Sequence, residues 1–151
     1  MKPVLQALLL AERIFVDKDT NQFIIAGTFN HFNFKKRNSS PDPNAEGKVR
    51  VLGERSSGTP FAYINLTDLK GPTSLTLRYV NLKDDTIIME TTFAVHCTDP
   101  LQTKELAVPL PRFPAIEGVH SLELTCLGHP LGSIRITAKD ITDSENSEKS
   151  S

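Results

Sequence analysis

Gly118-Val119-His120-Ser121-Leu122-Glu123-Leu124-Thr125-Cys126-Leu127-Gly128-His129-Pro130-Leu131-Gly132-Ser133-Ile134-Arg135-Ile136-Thr137-Ala138 is the stretch that decides the fold. In its first arm His120, Leu122, Leu124 and Cys126 share one parity, and Ser121, Glu123 and Thr125 share the other. In its second arm Ile134, Ile136 and Ala138 alternate with Ser133, Arg135 and Thr137. A period of two is that of a half-buried strand. Gly128-His129 between the arms suits a tight hairpin, because glycine tolerates positive φ. An uninterrupted two-residue hairpin there would pair Leu124 with Ser133 and leave both isoleucines facing water. One extra residue repairs the pattern, and a β-bulge is expected at Gly132-Ser133. Leu124 then meets Ile134, Leu122 meets Ile136 and His120 meets Ala138, while a longer loop over Gly128 to Gly132 is the rival.

A hairpin with one apolar face needs a second layer to cover it. The rest of the chain offers strands at fairly even spacing. Val4 to Val16 fits helix or strand by periodicity. The turn formers Asp17-Lys18-Asp19-Thr20-Asn21 and the β-branched run Gln22 to Phe29 make it the first arm of a hairpin. Phe61 to Leu69 places Ala62, Ile64 and Leu66 on one face and Tyr63 and Asn65 on the other. Strands follow around Leu75 to Val80, Thr86 to Cys97 and Leu101 to Leu110, and Val49 to Leu52 is a short edge strand. The expected fold is all-β: an antiparallel β-sandwich of seven or eight strands, immunoglobulin-like or C2-like.

At 151 residues the chain is long enough for one domain with a real core. Residues 1–139 are assigned to it, with a long irregular loop at about 35–59. Residues 140–151 are Ser, Glu and Lys with almost no apolar side chain, and are expected to form a disordered tail. The apolar run at Val4 to Ala11 is broken by Gln6 and lacks a small-x-small cleavage site, so it does not read as a signal peptide. It is also far too short to span a membrane. The expected location is cytoplasmic.

Three parts of the chain together resemble a known group. They are Leu8 to Phe15 with Phe23 to Phe29, Pro60 to Leu66 with Leu77 to Leu82, and Gly118 to Leu124 with Leu131 to Ile136. The pattern is similar to a family of small uncharacterised bacterial proteins, frequent in planctomycetes, built of a single β-rich domain of unknown function. The likeness reaches to about residue 138. Its motifs are structural, so it implies a fold and brings no catalytic residues. The family usually has Tyr where this chain has His120, and the loop at 35–59 is expanded here.

The candidates for chemistry are few. Asp17, Asp19 and Asn21 match the first ligand positions of a calcium loop, but Gln22 stands where that loop needs Gly and Thr28 where it needs Glu. Asp17, Asp19, Asp84, Asp85 and Asp99 all fall in turns, where aspartate is common; calcium or lipid binding by a C2-like domain would need them to converge. His31, His96, His120 and His129 show no metal-ligand spacing. His120 reads as a buried histidine hydrogen-bonded to backbone.

Cys97 and Cys126 read as buried, reduced, unreactive thiols. There is no G-x-S-x-G motif and no Cys beside a base, and Ser56-Ser57-Gly58 is loop composition. The chain is therefore expected not to be an enzyme. No metal site and no cofactor is assigned.

Lys35, Lys36, Arg37, Lys48, Arg50 and Arg55 make one loop basic, beside Phe29, Phe32 and Phe34. A nucleic-acid platform of that kind is disfavoured by the formal net charge of −1. The sequence names no specific function. What remains is a non-enzymatic protein-interaction or structural module with a protein partner expected, homo-oligomerisation left open, and a calcium- or lipid-binding C2-like domain or a nucleic-acid-binding module as the alternatives.

Overall fold

The computed structural model describes residues 2–35, 50–52 and 59–142. The basic residues Lys36, Arg37, Lys48 and Arg55, and the tail from residue 143, lie outside them. The described residues form ten strands: β1 Val4–Val16, β2 Phe23–Thr28, β3 His31–Lys35, β4 Arg50–Leu52, β5 Phe61–Thr67, β6 Gly71–Asn81, β7 Thr86–Cys97, β8 Lys104–Pro109, β9 Gly118–Cys126 and β10 His129–Asp140. They make a four-stranded sheet, β2-β1-β5-β8, and a six-stranded sheet, β4-β3-β10-β9-β6-β7. The fold is all-β with two sheets.

Three expectations change. Among the described residues the strands number ten rather than seven or eight, and the His31 to Lys35 segment, not expected as a strand, is one of them. Its alternation is plain once seen: Phe32 and Phe34 are buried, and His31 is exposed. The fold is also not wholly antiparallel, since β3 runs parallel to β10 with Ala138 opposite Phe32. Asp140, assigned to the tail, lies in β10 and pairs with Phe34, while the expected disorder of residues 143–151 falls outside the described residues.

Each sheet turns one parity inward. Leu8, Leu10, Ala62, Ile64 and Leu66 come from the small sheet. Leu75, Leu77, Tyr79, Leu122, Leu124, Cys126 and Ile136 come from the large one. All belong to one buried cluster, the arrangement that lets two one-sided sheets satisfy each other. The connection from β8 to β9 contributes Leu110 and Phe113 to the same core. Phe113 stacks on Tyr79 with ring centres 4.7 Å apart, and on Phe32 at 5.4 Å.

The closing hairpin has the expected faces but a different turn. Cys126 pairs with His129, so the two turn residues are Leu127 and Gly128. Both have positive φ, 50° and 82°. A hairpin turn with positive φ at both positions follows the strand twist, and it favours Gly second, so Gly128 moves the turn back by one residue. The extra residue of the second arm is Leu131, between Pro130 and Gly132, rather than at Gly132-Ser133. Leu124 then faces Gly132, Leu122 faces Ile134 and His120 faces Ile136. These partners differ by two residues from those expected. An even displacement keeps each side chain on its face. Gly132 instead serves the contact between the two sheets, where a Cβ would lie 2.5 Å from Leu5 Cδ2.

Leu127 is 81% exposed and strained in the left-handed region for no packing gain. Leu127→Asn is expected to stabilise the protein by about 1 kcal/mol, because Asn-Gly is the preferred pair in this turn. The urea midpoint reads this directly, and a fall in stability would show that the turn is mis-assigned.

Candidate interaction surface

The titratable groups picked out from the sequence are used locally. Asp17 Oδ1 accepts hydrogen bonds from the Asp19 and Thr20 amides at 2.8 and 3.2 Å, inside the β1–β2 turn. Asp84 Oδ1 accepts from the Thr86 amide and hydroxyl, which holds its carboxyl below the usual range. Asp99 Oδ1 accepts from the Leu101 amide at 3.0 Å. Nor do these turns converge. Asp84 and Asp85 lie past the far end of β6, whose eleven residues span about 35 Å from the end near Asp99. Among the described residues no three His, Cys, Asp or Glu side chains form a metal-ligand group.

Phe32 and Phe34 are buried and Phe29 is half-buried against the core, so these rings are not presented for stacking on bases. Cys97 and Cys126 are free and buried, and Cys97 Sγ donates to the Asp99 carbonyl at 3.2 Å.

His120 is 0% exposed, as expected, but its partner is a side chain and not backbone. Its Nδ1 lies 2.6 Å from Tyr79 Oη. With Tyr79 donating, the histidine is neutral and carries its proton on Nε2, which has no hydrogen-bond partner. Burial lowers the imidazole pKa and raises that of the Tyr79 hydroxyl. Tyr79, Phe113 and His120 thus form a sealed aromatic corner. It is closed to substrate. The role of Phe113 is not visible in the sequence, where Pro111 and Pro114 read only as breaks.

The open feature lies on the opposite side of β10 from β9. β1 pairs with β5 from Val4 to Ala11, but with β2 only from Ala11 to Val16. β10 pairs with β9 along nearly its whole length, but with β3 only from Thr137 to Asp140. The first half of β1 and the first half of β10 therefore each keep one edge without a ladder to any described strand. Between them lies a groove of about 530 Å³ lined by Leu8, Leu9, Leu10, Thr28, Phe29, Asn30, Ile134 and Arg135. The Phe29–Asn30 link closes one end: the Phe29 amide donates to the Leu10 carbonyl and the Thr137 amide to the Asn30 carbonyl. The Leu5–Gly132 contact closes the other. No local sequence signal marks this groove, because it arises from where two strands exchange neighbours.

No helix among the described residues is long and apolar enough to cross a membrane. Comparison of the sequence with protein-family models and with curated proteins returns no match.

The corner predicts a pH dependence. The folded-state pKa of His120 lies below the ordinary 6.5, so the unfolded chain takes up the proton first as pH falls. Stability is full above that ordinary value and is lost as the pH drops below it, towards the folded pKa. The urea midpoint is expected to fall between about pH 7.5 and about pH 5.5, with His120→Phe flattening the slope. Tyr79→Phe, which strips His120 of its donor, is expected to cost about 1–2 kcal/mol at neutral pH.

Proposed function

We propose that this chain is a β-sandwich module, immunoglobulin-like or C2-like in kind, that performs no catalysis and binds an extended segment of another protein. The observation that carries the reading is the groove between β1 and β10. Two strand edges without a ladder flank it, and only another extended backbone satisfies rows of free N–H and C=O groups efficiently. Side chains from the walls would set the preference. Leu9 is 40% exposed, Phe29 and Ile134 are half-buried, and Arg135 projects a positive charge at the rim. This combination favours a segment that alternates apolar residues with an acidic one. The resemblance to small single-domain bacterial proteins, and a cytoplasmic setting, belong to the same proposal.

The test is selection of peptides from a random display library, followed by amide hydrogen exchange on the complex. Binders are expected to protect the amides of residues 6–9 and 133–135, and Leu9→Glu is expected to weaken binding about tenfold or more. Peptides that bind but protect other strands, or binding unaffected by Leu9→Glu, would overturn the assignment.

A further inference from the structure

The four outer strands of the two sheets are not alike. β2 is six residues long and carries Gly27 at positive φ, β4 is three residues, and β8 is six residues running from Lys104 to Pro109. Short length, Lys, Pro and local irregularity are the usual protections of a sheet edge. β7 has none of them over most of its length. It is twelve residues, Thr-Ile-Ile-Met-Glu-Thr-Thr-Phe-Ala-Val-His-Cys, with Glu90 as its one acidic or basic residue besides His96. Its side away from β6 makes no ladder with any described strand, and its amides and carbonyls bond to no described loop.

The ladder with β6 is regular from Met89↔Tyr79 to Cys97↔Gly71, and Ile88 is the bulged residue that ends it. Along this segment Met89, Thr91 and Phe93 turn towards the core but stay half-exposed at the rim, while Glu90, Thr92, Ala94 and His96 face out. A row of half-covered side chains beside a free backbone edge is what one more strand would complete.

We propose that the missing strand is β7 of a second copy, paired antiparallel about a twofold axis through Phe93. In an antiparallel ladder only alternate residues point their backbone groups outward, so a twofold axis must pass through a residue. Phe93 is the midpoint of the regular segment Met89–Cys97. Centred there, every residue of that segment has a partner and the Ile88 bulge stays outside. Phe93 meets Phe93, Thr91 meets Val95 and Met89 meets Cys97 on the inner face. On the outer face Thr92 meets Ala94, and Glu90 meets His96. Glu90 already takes a hydrogen bond from Arg78 Nε at 2.8 Å, so the two copies would align Arg78, Glu90 and His96 across the junction. An axis through Glu90 would oppose like charges. Axes through Thr91 or Thr92 would drive the bulge into the ladder. The pairing joins the two six-stranded sheets into one. It is independent of the β1–β10 groove.

Sedimentation equilibrium of the full chain, across a wide concentration range, is expected to show a reversible monomer–dimer equilibrium. His96→Glu sets Glu against Glu90 twice per dimer and is expected to raise the dimer dissociation constant about tenfold or more, with an unchanged urea midpoint. Register is read by cysteines: the Thr92→Cys, Ala94→Cys double variant should form a disulfide-linked dimer on mild oxidation, and Thr92→Cys alone should not. Monomer at every concentration overturns the proposal, whatever other strand the edge accepts. Dimerisation indifferent to His96→Glu, or cross-linking by Thr92→Cys alone, overturns the pairing.

Discussion

Two backbone hydrogen bonds one residue apart hold the sheets in their relation. The Phe29 amide donates to Leu10 in β1 at 3.1 Å, and the Asn30 carbonyl accepts from Thr137 in β10 at 2.9 Å. The two-residue link between β2 and β3 is thereby stitched to both sheets. It is also the place where neighbours change. Ala11 pairs with Phe61 on one side and with Thr28 on the other, and it is fully buried. On one side of this point each sheet has its extra strand, β2 or β3. On the other side neither has, and the groove opens. A larger residue at position 11 would press on both neighbours at once, which accounts for the alanine in a run of leucines.

The faces of the strands were legible in the sequence, because burial on one side imposes a period of two. Ala62, Ile64 and Leu66 are completely buried, as their spacing requires, and the β1–β2 turn lies at Asp17 to Gln22. Register was less legible. Parity excludes odd slips of the closing hairpin but is blind to even ones, so Leu124 could be matched to Ile134 when it meets Gly132. The deciding facts were the demand of the turn for two positive φ values and the Leu5 side chain over Gly132, which comes from far away in the chain. The β3 strand was hidden because His31, Asn33 and Lys35 dilute a segment that has only two inward positions.

The candidate surface was not legible in the sequence. Composition and spacing singled out no surface, because the groove walls come from β1, the β2–β3 link and β10, and no local pattern joins them. The same holds for His120. Its parity placed it inside. That it meets the Tyr79 hydroxyl rather than a carbonyl depends on how β6 lies beside β9, with Tyr79 opposite Leu122 and Asn81 opposite His120. Phe113 then roofs the pair from a segment without regular structure.

The parallel pairing of β3 with β10 has a consequence for how the chain folds. The other ladders among the described residues join strands that are neighbours in sequence, except β1 with β5, β5 with β8 and β6 with β9. β3 precedes β10, one of its two partners in the large sheet, by about a hundred residues. Without β10, Phe34 has a strand neighbour in β4 alone and Phe32 has none among the described residues. The ring of Phe113 reaches Phe32 before β10 does, and it stands as an early cover for an unfinished sheet. Closure over a loop of this length is slow, and an apolar edge left waiting is open to misassociation. The ladder that joins β3 to β10 thus closes over the greatest separation in sequence of any ladder among the described residues.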